Sequence, residues 1–173
     1  DAAARPALLN ALKDPNPIVQ GRAAEALGLV ASQIANQADA APVSAMVQAH
    51  VRAGALNGIA ADDLAYPQAP AAEAIRLGLY ALVRLGSYDA LAAAALDANG
   101  QPVSSWWPVA YALQRAENLR AAPALLGVAT SGEPWQKRGL SGAARTLLRE
   151  VTKRGLLPKR MGDAARELEN RLL

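Results

Sequence analysis

The chain has 173 residues with a formal net charge of +3, and 52% of its residues are hydrophobic. Aromatic residues make up only 4%, and phenylalanine and cysteine are absent, which excludes disulfides and thiolate metal sites. No apolar run approaches the roughly 20 residues that span a bilayer, so membrane insertion is not expected. Alanine, leucine and arginine, all good helix formers, are the most frequent residue types, and this composition predicts helices throughout.

The two ends of the chain differ in charge. From Pro134 to Leu173 there are ten Lys and Arg residues against four Asp and Glu, whereas the preceding residues carry eight against eleven. The chain begins at Asp1, without an initiator methionine or the basic start and apolar stretch of a signal peptide. We therefore expect a piece of a longer or processed protein, for which a cytoplasmic and a periplasmic location are both compatible with the sequence.

The first predicted unit, residues 4–30, pairs a short helix over Arg5–Lys13 with a second helix that ends near Gly28. Asp14 and Pro15 lie between them, and an aspartate before a proline is typical of a helix start. Gly28 is expected near the end of the second helix, because a left-handed residue commonly closes a helix.

The second predicted unit, residues 42–86, pairs a helix over Pro42–Arg52 with a helix over Pro70–Gly86. Residues 53–69 between them include turn signals such as Asn57-Gly58 and show no helical periodicity, so they are predicted to be an irregular loop. Loops of this length are uncommon without a role of their own.

Two further units and a last helix follow. The third unit, residues 88–116, pairs Tyr88–Asp97 with Pro102–Arg115, where Pro108 is close enough to the helix start to be tolerated. Its predicted turns lie at Gly86 and Gly100. The fourth unit spans 119–154, with helices over Leu119–Thr130 and Pro134–Arg154 and a closing Gly155, and a terminal helix spans 158–172.

Each predicted pair has small and apolar residues at helical spacing, and each pair is too small to bury its apolar side alone. Stacking the pairs makes one continuous core. The sequence therefore predicts an all-α fold, an α-solenoid (superhelix) of about four helical pairs with a terminal helix, in a single domain over residues 1–173.

The stretch from Asp14 to Gly28 resembles a HEAT repeat, with an Asp-Pro turn, a valine, an arginine and then Ala-Ala-x-Ala-Leu-Gly. Ala81-Leu82 and Ala112-Leu113 lie 31 residues apart, a step similar to that of the short bacterial repeats found in phycobilisome lyases. The resemblance implies a right-handed solenoid that binds proteins or, in some members, nucleic acid.

A narrower resemblance concerns Gly21–Gly28 and Ser105–Arg115. These stretches are similar to HEAT regions of bacterial proteins that also carry a cyclophilin-type prolyl isomerase domain. This implies that catalysis belongs to a domain outside this chain, for which the present residues are an accessory region.

Catalytic chemistry lacks the residues it needs. His50 is the only histidine, and the sequence shows no orienting partner for it. Asp62 and Asp63 form an acidic pair without calcium-loop spacing. No phosphate-binding glycine loop, nucleophile elbow or zinc-ligand spacing occurs. We predict that the chain is not an enzyme and holds no cofactor or metal.

Two groups of side chains are candidates for partner binding. The aromatic group either fills gaps in an alanine-rich core or anchors a protein or peptide partner. Under the second hypothesis, replacing Trp106 by alanine weakens binding and leaves the melting temperature nearly unchanged. The basic group is either the solvated side of a terminal repeat or a surface for phosphates. The candidate residues are Trp106, Trp107, Tyr111, Trp135, Arg138, Arg145 and Arg149.

The favoured function is a non-catalytic protein- or peptide-binding scaffold that uses the second helix of each pair. The alternatives are nucleic-acid binding through the basic C-terminal third and an accessory role in a multidomain prolyl isomerase.

Overall fold

A computed structural model describes residues 4–34, 37–61, 63–64, 68–116, 118–121 and 123–125. Helices account for most of these residues, and no strand occurs among them apart from an isolated antiparallel bridge between Leu96 and Pro102. The prediction of an all-α fold is therefore confirmed for this part of the chain. The helices are α1 (Arg5–Ala11), α2 (Pro17–Ile34), α3 (Ala40–Arg52), α4 (Pro70–Arg84), α5 (Tyr88–Ala95) and α6 (Trp107–Arg115), with short 3-10 helices at Gln37–Asp39 and Leu119–Ala121.

Helix α4 lies at the centre of the packing and contacts α2, α3, α5 and α6. Its Ile75, Leu79 and Leu82 side chains are completely buried. Helix α1 packs on α2, and α5 packs on both α3 and α6. Helices two places apart in the chain are therefore neighbours, since α2 contacts α4, α4 contacts α6 and α3 contacts α5.

Helices α2 and α4 approach each other through small residues. A Cβ atom added to Gly21 would lie 3.0 Å from the Cα of Ala74, and one added to Gly28 would lie 2.7 Å from the Cα of Ala81. Each contact recurs one heptad later on both helices and in the same order. The two helices therefore run parallel, with their backbones in close contact.

The prediction that Gly28 closes a helix is wrong. Helix α2 continues to Ile34, and Gly28 lies in its interior. The glycine serves the close approach to Ala81, a tertiary requirement that local sequence signals do not reveal. Gly86 does follow the end of α4, with φ of +66°, as predicted.

Two helices begin later than their sequence signals indicate. The Asp14 carboxylate accepts from the amide of Asn16, and the Asn16 side chain accepts from the amide of Ile18, so Asn16 caps α2 with Pro17 as the first helical residue. Helix α6 begins at Trp107 instead of Pro102.

Polar contacts join the elements as well. The Arg5 guanidinium donates to both carboxylate oxygens of Asp39, which is almost fully buried just before α3. The buried Ser44 hydroxyl in α3 donates to the carbonyl of Ala90 in α5 at 2.8 Å. Both contacts link segments that are distant in sequence and fix α3 against its neighbours.

None of the helices in the described ranges combines the length and apolar character needed to cross a bilayer. Most of the predicted fourth unit, the terminal helix 158–172 and Gly155 lie outside the described residues.

Candidate partner-binding face

The two adjacent tryptophans hold the α3–α4 connection against α6. The indole N–H groups of Trp106 and Trp107 both donate to the carbonyl oxygen of Asp63, at 3.0 and 3.2 Å. The backbone amide of Trp107 also donates to the carbonyl of Ala61 at 2.8 Å. The middle of the irregular segment, around Asp63, is therefore tied to the start of α6.

Trp106 belongs to the core. It precedes the first residue of α6 with an extended backbone, and its side chain is 0% exposed. A side chain with no exposed area offers no surface to a partner, which favours the core alternative for Trp106 over the partner-binding one. The side chain is turned inward because it lies at the helix cap, and helical spacing therefore does not govern its direction.

Trp107 and Tyr111 lie one turn apart on α6 and remain at the surface. Trp107 is half-buried, and Tyr111 is 41% exposed. Their rings meet edge to face with centroids 6.3 Å apart, and the Tyr111 ring also contacts Tyr80 of α4 at 5.3 Å. We call Trp107, Tyr111 and Tyr80 the aromatic row.

An arginine supports the α4 end of the aromatic row. The Arg76 guanidinium lies 5.3 Å from the centroid of the Tyr80 ring, within the range of a cation–π contact. Both carboxylate oxygens of Glu73 accept from the same guanidinium, at 2.6 and 2.7 Å. The two parallel hydrogen bonds hold the arginine side chain in place and neutralise the carboxylate charge of Glu73.

Helix α2 contributes a stripe of its own. Ile18 and Leu29 are 54% and 56% exposed, and Arg22 and Glu25 lie between them with a 2.7 Å ion pair. The spacing of four, three and four residues places all of them on one side of the helix.

The stripes of α2 and α4 share one side of the molecule. On α2, the stripe is rotated by about a quarter of a turn around the helix axis from Gly21 and Gly28, which face α4. On α4, Tyr80 is rotated by about a quarter of a turn around the helix axis from Ala74 and Ala81, which face α2. This rotation has the opposite sense to the one on α2. Because the two helices are parallel, these directions coincide. We call this surface the outer face, formed by Ile18, Arg22, Glu25, Leu29, Glu73, Arg76, Tyr80, Arg84, Trp107, Tyr111 and Arg115.

The charge of the outer face is unbalanced. Its two carboxylates, Glu25 and Glu73, are each paired with an arginine of the same helix. Arg84 and Arg115 lie one turn beyond Tyr80 and Tyr111, are exposed, and make no hydrogen bond or ion pair to the described residues. Among the described residues, the two cations at the C-terminal ends of α4 and α6 therefore have no carboxylate partner.

His50 is half-buried and contacts a side chain of helix α2. Its Nε2 atom lies within hydrogen-bond distance of the side-chain oxygen of Gln20 in α2, and burial lowers the pKa of the imidazole. Within the described ranges, no three His, Cys, Asp or Glu side chains are grouped so as to hold a metal ion. Asp62 lies outside those ranges, and Asp63 uses its backbone carbonyl to hold the two indoles.

Several predicted site residues fall outside the described part of the chain, namely Trp135, Arg138, Arg145 and Arg149. The structure also brings in residues that the sequence analysis missed, above all Tyr80 and Arg76. The spacing of Arg76, Tyr80 and Arg84 along the second helix of unit two was the available signal, since residues four apart share a helix side.

Comparisons with protein-family models, with curated proteins and with solved structures gave no match, so the case for a function depends on the geometry of the outer face.

Proposed function

We propose that the chain is a non-catalytic module that binds a protein or peptide on the outer face. The observation that carries the proposal is that apolar and aromatic side chains reach the surface on the same side of three neighbouring helices. Leu29 and Tyr111 are exposed on α2 and α6, with Tyr80 between them on α4. Tyrosine, tryptophan and arginine are the residues most enriched at energetically important interface positions.

The order of helix contacts supports an α-solenoid of HEAT type as the scaffold. The second helices of the proposed pairs, α2, α4 and α6, contact one another in succession, and α3 and α5 do the same. In such a solenoid each pair contacts only its neighbours, which creates an extended surface for partners. The ridge of second helices is then the binding surface.

The rigidity of the outer face favours binding. Ring contacts hold Tyr111 between Tyr80 and Trp107, and Arg76 is fixed by Glu73. Side chains that are ordered before association lose less conformational entropy when a partner binds.

Site-specific photo-crosslinking tests the proposal. A photoreactive phenylalanine analogue replaces Tyr111 in the full chain, and the protein is mixed with a displayed library of short random peptides. The matched control carries the analogue at Ala93, an exposed position of α5 in the other set of helices. We expect selected peptides to crosslink at position 111 and to be displaced by unlabelled protein. Equal crosslinking at both positions, or none at 111, contradicts the proposal.

Two other functions lack a structural observation of this kind. Nucleic-acid binding through the basic C-terminal third concerns residues outside the described ranges. The accessory role beside a prolyl isomerase is supported by the resemblance of Gly21–Gly28 and Ser105–Arg115 alone.

A further inference from the structure

We infer that the partner of the outer face is an acidic peptide segment carrying an aromatic or large aliphatic side chain; the inference rests on the proposed function and specifies its ligand. Charge pairing, the position of two arginines and the orientation of the rings support it.

After the ion pairs of the outer face are formed, positive charge remains on it that can attract carboxylates. Arg22 and Arg76 are satisfied by Glu25 and Glu73. Arg84 and Arg115 have no carboxylate partner in the described part of the chain. An approaching acidic chain would meet two cations without displacing an existing ion pair, whereas a basic chain would be repelled by both.

The positions of Arg84 and Arg115 match a single acidic segment. Each lies one helical turn beyond a tyrosine of the aromatic row, and the tyrosines themselves are in contact, with ring centroids 5.3 Å apart. Arg84 and Arg115 are in the last turns of neighbouring helices, α4 and α6. Gly86 and Ala116, which follow the ends of these two helices, line one cavity, so the two helix ends lie close together. Guanidinium groups bind carboxylates with two parallel hydrogen bonds, so two of them at neighbouring helix ends favour acidic residues close together in one segment.

The apolar part of the ligand follows from the neighbouring surface. Tyr111 and Leu29 expose apolar area beside the arginines, and Trp107 is half-buried. A large aromatic or aliphatic side chain of the peptide would cover this area, which provides affinity, while the carboxylates provide orientation.

The ring orientations favour a peptide over single-stranded nucleic acid. Bases bind by stacking on open aromatic faces along a track of cations. Here the rings are tilted by 55° and 71° against each other, and Arg76 already covers one face of Tyr80. The row therefore presents ring edges more than parallel faces, and Arg84 and Arg115, which have no ion pair within the described ranges, both lie in the last turns of their helices.

Peptide selection followed by charge reversal tests the inference. We expect peptides selected from a random library on the full chain to be enriched in Asp and Glu flanking Trp, Tyr, Phe or Leu. The double variant Arg84→Glu, Arg115→Glu should bind these peptides at least about tenfold more weakly. The matched control, Lys13→Glu with Arg52→Glu, reverses two exposed cations outside the outer face and should bind as the unmodified chain does.

Further measurements separate the possible failures. The double variant Arg84→Gln, Arg115→Gln should weaken binding less than the glutamate variant, and circular dichroism checks that both variants are folded. Affinity should also fall as salt is added. Peptides that crosslink at position 111 without acidic enrichment would overturn the inference and leave the proposed function standing. Absence of any peptide at this position would overturn both. Tighter binding of oligothymidylate than of the acidic peptides would overturn the inference in favour of nucleic acid.

Discussion

Gly28 of α2 lies against Ala81 of α4 so closely that a Cβ atom on the glycine would be 2.7 Å from the Cα of the alanine. That distance is well below an ordinary van der Waals contact, and the opposing atom belongs to the backbone, so no rotamer change relieves it. The contact sets the spacing of two parallel helices and thereby the spacing of their exposed stripes.

Gly28→Ala is therefore expected to destabilise the protein, although alanine is the better helix former. The propensity gain is about 1 kcal/mol, whereas overpacking costs about 1–3 kcal/mol. Urea denaturation should show a net loss of unfolding free energy. The reverse change at an exposed helix position, Ala49→Gly, measures the propensity contribution in this chain. A stabilised Gly28→Ala protein would show that the helices are farther apart than described.

Trp106→Ala is expected to lower the free energy of unfolding by about 3–5 kcal/mol, the usual cost of emptying a large aromatic site in a core. Trp106→Phe keeps most of the packing and removes only the indole donor to Asp63, so it should be milder. The melting temperature is the simplest measurement. An alanine variant that melts with the unmodified chain would restore Trp106 to the surface candidates.

Ser44→Ala tests the contact between α3 and α5. The hydroxyl of this buried residue donates to the Ala90 carbonyl, and such a bond contributes about 1 kcal/mol net. We expect a loss of that size in chemical denaturation. Ala45→Gly at the adjacent, exposed position reports helix propensity alone, and an unchanged stability for Ser44→Ala would mean that the carbonyl has another donor.

His50 gives stability a pH dependence. Burial lowers the pKa of its imidazole, so the unfolded chain takes up a proton first as the pH falls. The contribution is complete above the unfolded value of about 6.5 and is lost as the pH falls through the folded pKa. Denaturation between about pH 7.5 and pH 5 should show this loss, and His50→Gln should reduce it. An identical pH profile in the variant would rule out His50 as the cause.

The sequence predicts features that repeat along one helix, but it does not predict contacts between residues that are distant in sequence. Pro70–Gly86 shows the periodicity of a helix, and α4 is found there, ending at Arg84, two residues before Gly86. Gly28 carried the same local signal as Gly86, yet only Gly86 closes a helix. Gly28 differs from Gly86 because it packs against Ala81, which lies more than fifty residues away in sequence.

The candidate site was predicted only in part for the same reason. Tyr111 and Trp107 were found because they are four residues apart on one helix. Tyr80 joins them only through the packing of α4 on α6. The sequence left Trp106 open between the core and the surface, because its burial depends on a non-helical backbone just before α6 that helical spacing does not predict.

The carbonyl of Asp63, shared by two indoles, makes the long α3–α4 connection hard to shorten. A deletion that removes this carbonyl would take away the acceptor shared by two indole N–H groups, one of them inside the core. Natural length variation in this segment is therefore expected on its α3 side, around Asn57, and to stop short of Ala61.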